Sequence, residues 1–168
     1  GEGCEVVSVV GSRITTAEIV QRPVLWRDPL NSYRGTKGAT EAFRAGARAM
    51  GEGRLSVVVT GAGTSDYVGD TCAPYLRHAG NTDLYDFKPV ATTDIVSAPR
   101  DFLRAEDPTL VVSFARSGNR PESLAAVAVP KELVHNVKFP TIPCAPAAKL
   151  AGDSADDPNP PTLPIPPA

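Results

Sequence analysis

Gly61-Ala62-Gly63-Thr64-Ser65 and Arg116-Ser117-Gly118-Asn119 are the two stretches of this chain whose residue types suit chemistry on an anion. In the first, two glycines let the backbone come close to a ligand, and two hydroxyls follow at a predicted helix start. In the second, Arg116 supplies a guanidinium, Ser117 a hydroxyl and Asn119 an amide around Gly118, and Ser123 adds a hydroxyl one helical turn further on. Unpaired amides and the macrodipole at a helix N-terminus both favour negative charge, so either stretch could hold a phosphate. Each alone also reads as an ordinary helix cap after a tight turn. Because both follow an apolar β-branched run, they are expected at equivalent strand ends, forming one pocket between them.

Neither stretch is a nucleotide signature. Asp66 stands where the third glycine of a dinucleotide fingerprint would fall, and no Gly-Lys-Ser/Thr follows to make a P-loop. Glu122 lies in the first turn of a predicted helix, where the macrodipole alone favours a carboxylate. Facing the pocket instead, Glu122 would be a base able to move a proton from a sugar carbon. His78 and His135 fall near predicted helix ends and read as structural, and Asp94 reads as the cap of a turn.

The elements that must position these residues alternate strand, loop and helix. Ala39, Phe43, Ala47 and Met50 recur at helical spacing from Thr36 until Gly51 and Gly53 stop the helix. Strands are expected over 55–60, 84–91 and 109–114, the second irregular or at an edge because Pro89 lies inside it. After the 61–65 loop, Val68, Cys72, Tyr75, Leu76 and Ala79 predict one helical face, kinked at Pro74 and ended by Gly80. Pro121 suits the first position of a helix over 121–129. This order implies an α/β domain with a mainly parallel sheet, helices on both faces and ligands at the carboxyl ends of the strands. Prolines crowd the chain from Pro130 onward, so 137–142 and 162–165 are expected as interrupted strands. Residues 1–35 read as an N-terminal arm with short helical pieces, the first capped by Thr15 or Thr16, and residues 36–168 as the folded domain.

Composition narrows the function classes. With 168 residues and 42% hydrophobic content, the chain suffices for one domain with a real core. A net charge of -2 supplies no global field toward nucleic acid or an anionic membrane, so neither is expected as a partner. Cys4, Cys72 and Cys144 are odd in number and lack the paired spacing of a metal site, which predicts reduced thiols and no metal. The apolar run Val6-Val7-Ser8-Val9-Val10 is too short for a membrane span and follows glutamates rather than basic residues. A cytoplasmic location is the resulting expectation.

The two loops, with Ala91-Thr92-Thr93-Asp94-Ile95-Val96-Ser97 between them, resemble the sugar isomerase (SIS) domain. The nearest branch is that of tagatose-6-phosphate ketose/aldose isomerases and galactosamine-6-phosphate deaminases, and the resemblance runs from about Thr15 to Ala168. It implies a flavodoxin-like three-layer α/β/α sandwich, with Gly61, Gly63, Thr64, Ser65, Arg116, Ser117, Gly118, Asn119 and Ser123 around a phosphosugar. The implied chemistry is proton transfer through an enediol or enamine, which needs no metal or redox cofactor. Non-catalytic sugar-phosphate sensing is the alternative that the same domain type implies, and a fragment that folds without binding anything is the bland one. The expected partners are the phosphosugar and further copies of the chain in a homo-oligomer. Two departures stand out: Arg120 replaces the serine usual after Ser-Gly-Asn, and Phe139-Pro140-Thr141-Ile142-Pro143 interrupts a usual strand. The family also continues into a second SIS domain, so part of its acid–base machinery is expected from outside these 168 residues.

Overall fold

A computed structural model describes residues 37–115 and 121–143, together with 14–17, 19–20, 27, 31 and 34–35. The described elements run α1 (Lys37–Arg48), β1 (Leu55–Gly61), a 3-10 turn (Gly63–Ser65), α2 (Asp66–Ala79), β2 (Tyr85–Pro89), α3 (Thr92–Ser97) and α4 (Pro99–Phe102). Then follow β3 (Thr109–Ala115), α5 (Pro121–Leu133), β4 (Val137–Lys138) and β5 (Thr141–Pro143). Every strand pairing is parallel, in the order β2-β1-β3-β4, with β5 also on β3. Parallel strands need crossover connections, and the helices between them provide these while covering the sheet.

Alternation along β1 divides the core into two layers. Leu55, Val57 and Val59 pack with Ala47 and Met50 at the end of α1, Phe87 of β2, and Leu76 of α2. Val58 and Val111, both fully buried, face the other way, onto Ile95 of α3, Leu103, and Val134 just beyond α5. Residues two apart on a strand share a face, so a run of valines fills both layers at once. The result is the three-layer α/β/α arrangement with a parallel sheet that the sequence predicts. Polar ties hold the layers in register: Arg77 Nε donates to Phe87 O at 2.9 Å, and Asn136 Nδ2 donates to Met50 O.

Four details differ from the sequence reading. Tyr75 is 69% exposed, because α2 buries Gly69 and Ala73 instead. At Gly69 an added Cβ would lie 3.1 Å from Val59 O, so glycine lets α2 sit directly on β1. Helix α5 continues through Pro130 to Leu133, with Pro130 buried. A proline costs one helical hydrogen bond, and burial of its ring offsets that loss. Asp94 is not a cap but lies in the first turn of α3, whose N-cap is Ala91. Finally, 14–17 are helical, which puts Thr15 and Thr16 within that stretch rather than before it.

The proline-broken strand forms as two short pieces on one neighbour. β4 pairs Thr109 and Leu110, β5 pairs Ser113 to Ala115, and Ser113 N donates to Pro140 O across the gap at 3.2 Å. Cys72 is half-buried with a free thiol. Cys4, Cys144 and the expected strand over 162–165 lie outside the described residues.

Candidate functional site

The site grows from the carboxyl ends of the two central strands. Thr60 and Gly61 of β1 lie beside Ser113 and Phe114 of β3. The loops that leave these strands therefore start from neighbouring points on the sheet. This is the location at which open parallel sheets take ligands.

The first loop is a tight turn. Gly61 ends β1, Ala62 is extended, and Gly63 takes φ 60°, a left-handed value that glycine adopts without strain. Ser65 N donates to Ala62 O at 3.3 Å, and Asp66 N closes back onto Gly63 O. The turn folds so closely that a Cβ on Gly61 would meet the Ser65 carbonyl carbon and oxygen at 2.4 Å. Gly63 and Thr64 are exposed and Ser65 half-buried. Ser65 occupies the N-cap of α2 in a helical conformation and makes no side-chain cap hydrogen bond. The capping role that would explain the hydroxyl without a ligand is thus not the one it plays.

Buried hydroxyls lie beneath the turn. Thr60 and Thr92 are each 1% exposed, and Ser113 and Ser123 are also buried. Thr92 Oγ1 donates to Gly61 O at 3.2 Å. Among the described residues Thr60 Oγ1 has no hydrogen-bond partner, although burying an unpaired hydroxyl carries a real cost.

One carboxyl at the site is perturbed. Burial at the start of α2, reinforced by the negative charges of Asp70 and Asp94, raises Asp66 above its ordinary value of 3.8. Glu122 is half-buried in the first turn of α5, and Ser123 beside it is buried. Arg116, Ser117, Gly118 and Asn119 lie outside the described residues, as does Arg120. What is described is that β3 ends at Ala115, beside the end of β1, and that α5 begins at Pro121.

Of the residues the sequence points to, Gly61, Gly63, Thr64 and Ser65 form the turn, and Glu122 and Ser123 begin the helix after the second loop. Sequence reasoning gave no site role to Thr60, Thr92 or Asp66. Asp66 carried a signal, a carboxylate directly after two hydroxyls, but it registered only as a mismatch to a glycine motif. The opposite end of the sheet has its own cavity of about 380 Å³, lined among others by Glu52, Arg54, Asp86, Lys88 and Glu106. Three of its charges are spent on each other, Asp86 pairing with Lys88 at 3.1 Å and with Arg54 at 3.6 Å.

No family model matches the chain. It is 34% identical over 152 residues to the D-galactosamine-6-phosphate deaminase AgaS of Shewanella sp. (strain ANA-3), an alignment covering 90% of this chain and 39% of that protein. It is 35% identical over 146 residues to the D-galactosamine-6-phosphate deaminase AgaS of Escherichia coli, covering 86% of this chain and 36% of that protein. Among solved structures it superposes on a tagatose-6-phosphate ketose/aldose isomerase from Escherichia coli with a TM-score of 0.79 and 33% identity. That match covers 89% of this chain and 40% of the other. The chain thus spans about two fifths of the length of these relatives.

Proposed function

From the phosphosugar isomerase (SIS) fold that this chain carries, and from its similarity to AgaS deaminases, we infer that it binds a hexose 6-phosphate at the carboxyl ends of β1 and β3. The substrate we favour is galactosamine 6-phosphate or tagatose 6-phosphate. The reaction is deamination in the first case and aldose–ketose isomerisation in the second. The observation that carries this reading is the 61–65 turn, a glycine-built bend that leaves the Ser65 hydroxyl free of its capping role at the start of a 14-residue helix.

In this reading the phosphate sits against Thr64 and Ser65, and Arg116, Ser117 and Asn119 are proposed as its further ligands. The glycines keep side chains out of its way, and the dipole of α2 favours its charge. Proton transfer between adjacent sugar carbons requires a group whose affinity for protons is tuned to the working pH. Glu122 and Asp66 are the carboxyls proposed for that role, and Asp66 is moved in the useful direction by burial and by Asp70 and Asp94. Both reactions start with removal of a proton from the carbon next to the open-chain sugar's carbonyl, giving an enediol or its 2-amino counterpart, which takes a proton back on the neighbouring carbon. In the deamination this leaves an imine at C2, which water hydrolyses to the ketone with release of ammonia. Neither step needs an external oxidant or reductant.

Binding without turnover is the second reading, because a turn that holds a phosphate does not by itself move a proton. The same experiment separates the two. The chain is incubated with galactosamine 6-phosphate and tagatose 6-phosphate while ammonia and isomer are followed, and its melting temperature is measured in parallel. A ligand at ten times its Kd stabilises the native state by about 1.4 kcal/mol, which is a shift of a few degrees for a domain of this size. Turnover supports the enzyme, a shift without turnover supports the sensor, and no shift with either sugar phosphate at millimolar concentration rules out both.

A further inference from the structure

We propose that Thr92 is a positioning residue for the 61–65 turn: its buried hydroxyl, by holding the Gly61 carbonyl, fixes the direction in which the turn presents Thr64 and Ser65. The proposal rests on the phosphate-binding reading of that turn and names a residue outside it on which the turn's geometry depends.

Gly61 is the last residue of β1, so its carbonyl sits where ladder pairing stops and the bend begins. The Gly61–Ala62 peptide plane sets the path of everything after it. Rotating that plane would swing Ala62 and the 3-10 turn away from the end of β3. Thr92 Oγ1 donates to this carbonyl at 3.2 Å, and Thr92 is only 1% exposed. One step earlier, Val90 N donates to Val59 O at 3.0 Å. The segment from Val90 to Thr92 therefore follows the end of β1 with two hydrogen bonds two residues apart, one from the backbone and one from a side chain. The second bond continues the ladder beyond the point where β2 ends at Pro89.

The hydroxyl is not used locally. Thr92 is the first residue of α3, yet Ala91 is the N-cap and no side chain caps the helix. A polar side chain buried at the start of a six-residue helix and aimed at another element's terminal carbonyl is explained by what it holds. Across the turn, the close approach of Gly61 to Ser65 leaves no slack, so a displaced carbonyl would carry the hydroxyls with it.

The test compares Thr92→Val with Thr92→Ser in the full 168-residue chain. Valine keeps the shape and removes the donor; serine keeps the donor and removes a buried methyl. Affinity for galactosamine 6-phosphate is measured by calorimetry, stability by urea denaturation, and the amide resonances of Ala62 to Asp66 by NMR without ligand. Positioning predicts that Thr92→Val weakens affinity on the order of tenfold and shifts the turn amides, whereas Thr92→Ser lowers stability but keeps affinity within about twofold. Affinity falling in step with stability in both variants would show a merely structural role and overturn the proposal. Should the unaltered chain bind no sugar phosphate, the functional reading fails, but the turn amides still decide the positioning claim: unshifted resonances in Thr92→Val would refute it.

Discussion

At the scale of single residues, the turn after β1 makes sharply different demands on its two glycines. Gly61→Ala places a Cβ 2.4 Å from the Ser65 backbone, which cannot yield without opening the turn, so we expect a loss of about 3 kcal/mol and of sugar-phosphate binding. Gly63→Ala meets nothing within 4 Å and suffers only the left-handed backbone penalty of about 1 kcal/mol. Urea midpoints of the two variants check this ordering. Thr60→Val removes the hydroxyl that has no partner among the described residues, and we expect it to stabilise the chain by about 1 kcal/mol. Asp66 provides the pH dependence. Because its folded value is raised, the folded chain holds more of this proton than the unfolded chain does from the ordinary 3.8 upward. The group therefore favours folding less as pH climbs through that window. Asp66→Asn should raise the melting temperature at pH 7, with the gain vanishing below the ordinary carboxylate range. The glycines and hydroxyls of the turn were legible in sequence because they interrupt an apolar run. Thr60, Thr92 and Asp66 were not, since their meaning comes from partners, or the lack of them, contributed by distant elements.

At the scale of elements, the strands were easier to read than the helices. Short β-branched runs bounded by Gly, Thr and Asp-Pro left little freedom, and β1 and β3 each extend one residue beyond the expected end. Helix α2 was harder, because its buried face is made by the small residues Gly69 and Ala73, which hydrophobic spacing does not mark. Helix α5 misled for a related reason: Pro130 looks like a stop, yet its ring is buried and the helix carries on. Pro74 offers a contrast, being exposed in the middle of α2. Pro74→Ala restores a backbone donor there and should stabilise the helix by about 1 kcal/mol, read as a rise in urea midpoint and in helical circular dichroism. The same exchange at Pro130 should destabilise, since it removes buried ring surface.

At the scale of the whole molecule, β1 and β3 serve both hydrophobic layers, so neither layer can open while the other stays intact. Native-state hydrogen exchange should accordingly find the slowest amides in Val57 to Thr60 and Val111 to Ser113, exchanging only with global unfolding, and exchange through a smaller opening there would contradict this coupling. The layered plan and the position of the 61–65 turn at the end of β1 could be anticipated from the order of strands and loops. Which hydroxyl faces what could not, because that depends on crossovers bringing α3 back to the end of β1. The outer strands of the described sheet, β2 on one side and β4 and β5 on the other, carry Pro89 in β2 and Pro143 in β5. A rim that lacks donors at these points is a poor template for an incoming strand. Full strand pairing cannot run past Pro89 or Pro143, which sets the described margins of this valine-rich sheet against edge-to-edge growth into insoluble fibrils.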